Sequence, residues 1–96
     1  MLLCKNVIVN GRRTSMRLDR ETWISLADIC AREGVTLHDI CSRIDVVKGK
    51  AGLSASTRLF VLTYFRNLLK HYEKEDKSRE KEAATDINMV LDSVRI

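Results

Sequence analysis

The sequence predicts a mainly helical, soluble domain that opens on a short extended segment and pairs with a second copy of itself. Three observations carry that prediction. Residues 13–18, Arg-Thr-Ser-Met-Arg-Leu, alternate polar and mostly apolar side chains with the period of a strand. After them, apolar residues recur at helical spacing, and the chain contains no proline to interrupt a helix. Finally, 96 residues enclose only a small core, and pairing of copies is a common way to bury more apolar surface.

Residues 5–18 read as extended. Val7-Ile8-Val9 is a β-branched run, and Asn10-Gly11 is a strong two-residue turn signal. Beyond the turn, Arg13, Ser15 and Arg17 share one face, while Thr14, Met16 and Leu18 share the other. Asp19 is a good N-cap for a helix that starts at Arg20 or Glu21. Trp23, Leu26, Ala27 and Cys30 form its apolar stripe, widened by Ile24 and Ala31, and Gly34 ends it. Thr36 caps a second helix, with Asp39 three residues on in an acidic variant of the capping box. The second stripe is Leu37, Ile40, Cys41 and Ile44, reaching toward Val47. Two glycines in "KGKAGLS" break the pattern, and Ser54 is the expected cap of a third helix. That helix carries Leu59, Phe60, Val61, Leu62, Phe65, Leu68, Leu69 and Tyr72, too many for one narrow stripe, which predicts burial against more than one neighbour. Residues 70–82 hold five basic and five acidic groups and read as a solvated extension or linker. Ile87, Val90, Leu91 and Val94 then mark a last amphipathic segment able to dock on the core or on a partner. The expected division is a domain over residues 1–75, followed by a charged linker and amphipathic segment over 76–96.

The net charge is +4, and its distribution is uneven. Residues 1–20 hold Lys5, Arg12, Arg13, Arg17 and Arg20 against Asp19 alone, and the remaining residues balance. A localised basic segment on a balanced protein is an electrostatic footprint for a polyanion. Other classes find little support. No apolar run is long enough to span a membrane. Lys5 interrupts the apolar start before a signal peptide could form, which points to the cytoplasm. Cys4, Cys30 and Cys41 form no metal-binding or redox pair, and Cys30 and Cys41 sit among apolar residues as small hydrophobes. His38 and His71 lie in no metal-ligand pattern, and no glycine loop is spaced to cradle a phosphate. Ser15 lacks a general base nearby in sequence. The expectation is therefore no enzyme, no metal and no cofactor. His38, near the start of the second helix, is either an exposed polar residue or a phosphate contact, and Trp23 is a core anchor.

An alternating strand followed by two helices across a tight glycine-containing turn resembles the ribbon-helix-helix family of DNA-binding proteins, in a bacterial branch with an extended third helix. The residues that carry the resemblance are "GRRTSMRL" and "ETWISLADICAREGVTLHDI", extended by "SRID" and "LSASTRLFVLTYFR", within residues 11–72. The resemblance implies a homodimer in which each chain contributes one short strand to an intermolecular antiparallel ribbon, while the following helices interlock. Arg13, Ser15 and Arg17 match the positions that read base edges in the major groove. Their chemistry suits that task independently, since arginine can give two parallel hydrogen bonds to guanine O6 and N7, and serine can donate or accept. Thr14, Met16 and Leu18 match the positions that face the dimer core, to which Trp23, Leu26, Ile40 and Ile44 would add. The family also holds phosphates through N–H groups at the start of the second helix, here Thr36 and Leu37. Lys5, Arg12 and His38 are further candidates for phosphate contact.

The function implied is sequence-specific binding of duplex DNA by a transcriptional repressor. One alternative is an antitoxin whose residues 83–96 wrap a toxin. The other is a dimeric interaction module that has kept the fold without DNA binding. Val7-Ile8-Val9 ahead of the turn raises a further question. It is either an extra strand folding back on the ribbon or an arm that tracks the DNA backbone. A strand covering the polar face would block reading of DNA, whereas one pairing edge-on would leave that face open.

Overall fold

The structure, a computed structural model, describes residues 1–78 and 87–94. Two strands, β1 (Leu2–Val9) and β2 (Arg12–Asp19), form an antiparallel hairpin. Asn10 and Gly11 turn it with φ of 50° and 83°, the left-handed pair that matches the twist of the strands they join. The register runs from Val9 opposite Arg12 to Leu2 opposite Asp19. Val7, Val9, Met16 and Leu18 are buried on the inner face, with Thr14 half-buried beside them. The strand pairing is thus within one chain. The expected lone strand has a partner, because β1 begins at Leu2 and its Val7 and Val9 bury on the same side as Met16 and Leu18.

Helix α1 (Arg20–Glu33) starts where expected. Asp19 Oδ2 accepts from the Thr22 N–H at 3.3 Å and its Oδ1 from the Thr22 hydroxyl at 2.8 Å. Gly34, left-handed at φ 69°, ends the helix by donating its N–H to the Cys30 carbonyl. The buried row is Trp23, Leu26 and Ile29; Ile24, Ala27 and Ala31 are exposed and Cys30 is half-buried. Helix α2 (Leu37–Val47) is capped by Thr36, whose hydroxyl accepts from the Asp39 N–H at 3.1 Å. The Asp39 carboxylate pairs with Arg43 at 3.0 Å. Ile40, Cys41, Ile44 and Val47 are buried, as their spacing predicts.

Helix α3 (Leu53–Ser78) begins one residue before Ser54, and the Ser56 N–H closes the first turn onto the Gly52 carbonyl at 3.0 Å. It packs against α1, α2 and β2, so it does meet several neighbours. Phe60, Val61, Tyr64 and Leu68 face them, while Leu62, Leu69 and Tyr72 are exposed. The expected boundary at residue 75 falls inside this helix. Helix α4 (Ile87–Val94) lies on α2 and α3 with Ile87, Val90, Leu91 and Val94 buried. Of the charged linker and amphipathic segment expected over 76–96, residues 79–86 and 95–96 lie outside the described residues.

Among the described residues, a core therefore forms between the inner face of the hairpin and helices α1, α2, α3 and α4. Met16, Leu18, Trp23, Leu26, Ile40 and Ile44 are all part of it within a single chain. The tyrosine Tyr64 ties α3 to the end of α1, donating its hydroxyl proton to Glu33 Oε2 and accepting from Arg32 Nε at 3.3 Å.

Candidate nucleic-acid interface

The hairpin pairs edge-on, so its outer face is open. Arg13, Ser15 and Arg17 on β2 are exposed there, opposite Ile8, Asn6 and Cys4 on β1. Residues directly opposite one another in an antiparallel pair point to the same face. Arg17 lies four positions beyond Arg13, which places their Cα atoms about 13 Å apart along the strand. Neither guanidinium has a partner among the described residues. The Ser15 hydroxyl donates to Asn6 Oδ1 at 2.9 Å, a cross-strand bond on the exposed face.

The two edges of the sheet differ. On β1, the Ile8 N–H donates to His38 Nδ1 at 3.0 Å and the Asn10 N–H to Ser42 Oγ at 2.9 Å. The Asn10 amide also donates to the Ser42 carbonyl and to Asp45 Oδ2. Helix α2 therefore covers that edge. Opposed residues of an antiparallel ladder alternate between pairs that bond each other and pairs whose main-chain groups face away. Since Ile8 turns its N–H away from β2, its partner Arg13 turns its own main-chain groups away from β1. The same holds two and four residues on, so Arg13, Ser15 and Arg17 present their main-chain N–H and C=O groups to the far edge of β2. The Arg17 carbonyl confirms the phase, accepting from Arg58 Nη2 of α3 at 3.3 Å. Arg58 also approaches Asp19 at 3.9 Å. The Asp19 carboxyl is held below its ordinary range, first by the hydrogen bond from the Thr22 side chain.

The expected phosphate contacts are dispersed around this face. Lys5 lies at the inner-face register position opposite Met16, but it is exposed, and its Nζ stands 5.0 Å from the Trp23 ring centroid. The Trp23 indole N–H donates to the Leu3 carbonyl at 2.9 Å, which fixes the ring beneath the ammonium. Arg12 is two-thirds exposed and 3.9 Å from Asp45, a loose pair that leaves it free to reach elsewhere. Thr36 spends its hydroxyl on the Asp39 N–H. The N–H groups of Leu37 and His38 open the helix, where no intrahelical acceptor exists. His38 is exposed, but its Nδ1 accepts from β1. The neutral ring then carries its proton on Nε2, the nitrogen left to donate outward.

Sequence reasoning missed Asn6 and Arg58. Asn6 could have been found, because an Asn-Gly turn of two residues sets the register and puts Asn6 opposite Ser15. Arg58 reaches β2 from 41 residues away and leaves no local signal. Among the described residues, no three His, Cys, Asp or Glu side chains gather as metal ligands, and no helix is long and apolar enough to cross a membrane.

A family model described as a ribbon-helix-helix domain matches residues 2–65, two thirds of the chain, and so includes β1 as well as β2. Proteins with that domain are in general DNA-binding transcription regulators and antitoxins. No curated protein and no solved structure matches the chain.

Proposed function

This chain belongs to the ribbon-helix-helix domain family, and we propose that within it the protein acts as a homodimer that binds duplex DNA in a sequence-specific manner and represses transcription in the cytoplasm. The observation that carries the reading is the exposed row Arg13, Ser15 and Arg17, with both guanidinium groups unpartnered among the described residues, beside an open strand edge. An unpaired edge recruits another strand. Antiparallel pairing of β2 with β2 of a second copy satisfies the free groups of Arg13 and Ser15 and creates a two-fold axis near Ser15. The combined face then carries four arginines, and two central strands suit the width of the major groove.

Arg13, Ser15 and Arg17 read base edges on this proposal. The N–H groups of Thr36 and Leu37, the Nε2–H of His38, and the cations of Lys5 and Arg12 serve the phosphates. A helix N-terminus favours an anion because its first N–H groups are unsatisfied and its dipole is positive there. Because α2 lies along β1, its N-terminus flanks the reading face.

The antitoxin alternative is disfavoured by α4. Its apolar residues, the ones expected to hold a toxin, are buried on α2 and α3. A toxin would have to displace them. The deciding experiment is selection of bound sequences from a random duplex pool with the full chain. Enrichment of a two-fold symmetric site, weakened in Arg13→Ala and Arg17→Ala, is the expected result. A pool that stays random, with no retention of mixed duplex at low salt, refutes the proposal and favours an interaction module.

A further inference from the structure

We infer that Asn6 of β1 is a second sequence-reading residue, a bidentate contact to adenine whose amide is held in place by Ser15. The inference rests on the proposed reading of DNA and adds to it a strand that the expected single-strand ribbon does not contain.

Asn6 faces outward from the hairpin directly opposite Ser15 and is exposed. Its Oδ1 accepts the Ser15 hydroxyl proton at 2.9 Å. An exposed asparagine ordinarily turns freely about its last torsion. Here one lone pair of the amide oxygen is committed, so oxygen and nitrogen have assigned sides. The second lone pair and both Nδ2 hydrogens remain, with no partner among the described residues. An acceptor and a donor side by side are the complement of adenine in the major groove, which offers its N6 hydrogens and its N7. The Ser15 oxygen keeps its own lone pairs for a neighbouring base.

Position favours the same assignment. Along the strands, Asn6 lies level with Ser15, midway between Arg13 and Arg17. In a dimer joined through β2, neighbouring strands are about 4.8 Å apart, which sets each β1 about 7 Å from the two-fold axis. That is close to the wall of a groove about 12 Å wide. The bond to Ser15 draws the Asn6 amide back toward β2, and so toward the bases.

The test compares sites selected from random duplex pools by the parent, Asn6→Ala, Asn6→Asp and Ser15→Ala chains. All four should melt alike, since both side chains are exposed. The parent should fix a symmetry-related pair of A·T positions beside the positions set by the arginines. Asn6→Ala should lose discrimination at that pair alone, by about tenfold or more per half-site. Ser15→Ala should weaken it at the same pair. Asn6→Asp, which can only accept, should move the preference from adenine to cytosine. A parent site that depends on Arg13 and Arg17 but is unchanged in Asn6→Ala overturns this inference and leaves the proposed function standing. So does an equal loss on every sequence, the mark of a phosphate contact. A parent that selects nothing overturns both.

Discussion

The two faces of β2 make opposite demands, and Met16→Ala set against Arg17→Ala separates them. Met16 is 1% exposed, enclosed between the hairpin and the helices, and its Sδ accepts from the Thr57 hydroxyl at 3.5 Å. Truncation to alanine removes three heavy atoms from a site that cannot collapse freely and costs about 2–5 kcal/mol. Loss of a sulfur acceptor for the buried Thr57 hydroxyl pushes the cost away from the lower end. In a domain of this size each kcal/mol lowers Tm by about 4–8 °C, so a loss near 3 kcal/mol lowers it by roughly 12–24 °C. Met16→Leu conserves volume and should cost less than about 1.5 kcal/mol. Arg17 has its side chain in solvent and only its carbonyl engaged, so Arg17→Ala should melt within a few degrees of the parent. Its specific affinity should nevertheless fall by roughly 1–3 kcal/mol per base contact, doubled by two-fold symmetry. Thermal melts by circular dichroism, read beside binding isotherms on the selected site, provide both numbers. A one-residue slip would exchange the two faces. An Arg17→Ala chain that unfolds, beside a Met16→Ala chain that melts like the parent, would overturn this assignment of the two faces.

Three more expectations follow from the same geometry. With about four phosphate contacts, affinity should drop roughly a hundredfold between 50 and 200 mM salt, and a flat response would contradict the electrostatic reading. Ser15→Pro deletes an N–H that faces the open edge and is absent from the hairpin ladder; edge positions tolerate proline. Sedimentation should therefore show a folded monomer for Ser15→Pro and a dimer for Ser15→Ala, and a Ser15→Pro dimer would refute pairing through β2. Burial pushes the Cys41 thiol up to about 12 from 9.0. Its neutral form thus contributes stability fully below the unfolded value, and that contribution is lost as pH rises toward the folded one. A thiol reagent at pH 8 should modify exposed Cys4 in the native protein and reach Cys41 only after denaturation, with peptide mapping as the readout.

Much of the fold was legible because its signals are local. The Asn10-Gly11 turn, the alternation of Thr14, Met16 and Leu18, the Asp19 and Thr36 caps and the Gly34 stop each act within a few residues. What escaped depends on packing. The row that α1 buries runs Trp23, Leu26, Ile29, three residues at a time, because β2, α2 and α3 together decide which side faces in. Periodicity alone favoured Ala27 and Ala31 equally. The start of β1 at Leu2 carries no alternation of buried residues before Val7, so the segment reads as a strand only once β2 lies beside it. The candidate site divides the same way. Its outward arginines follow from a period of two, whereas the commitment of His38 to Ile8 joins residues 30 apart. In α3, composition announced burial without showing that Leu62 and Leu69 lie on the side away from the core.

The unequal edges of the hairpin also decide how assembly ends. Any strand that adds to β2 must present its own open side, because the flank along β1 is already bonded to His38 and Ser42. In the proposed dimer, two copies consume each other's growth points. That union is isologous, with closed point symmetry, and leaves no side for a third chain to extend into a filament. Helix α2 would then terminate polymerisation, and a sheet edge that otherwise invites amyloid-like stacking would become a two-member seal.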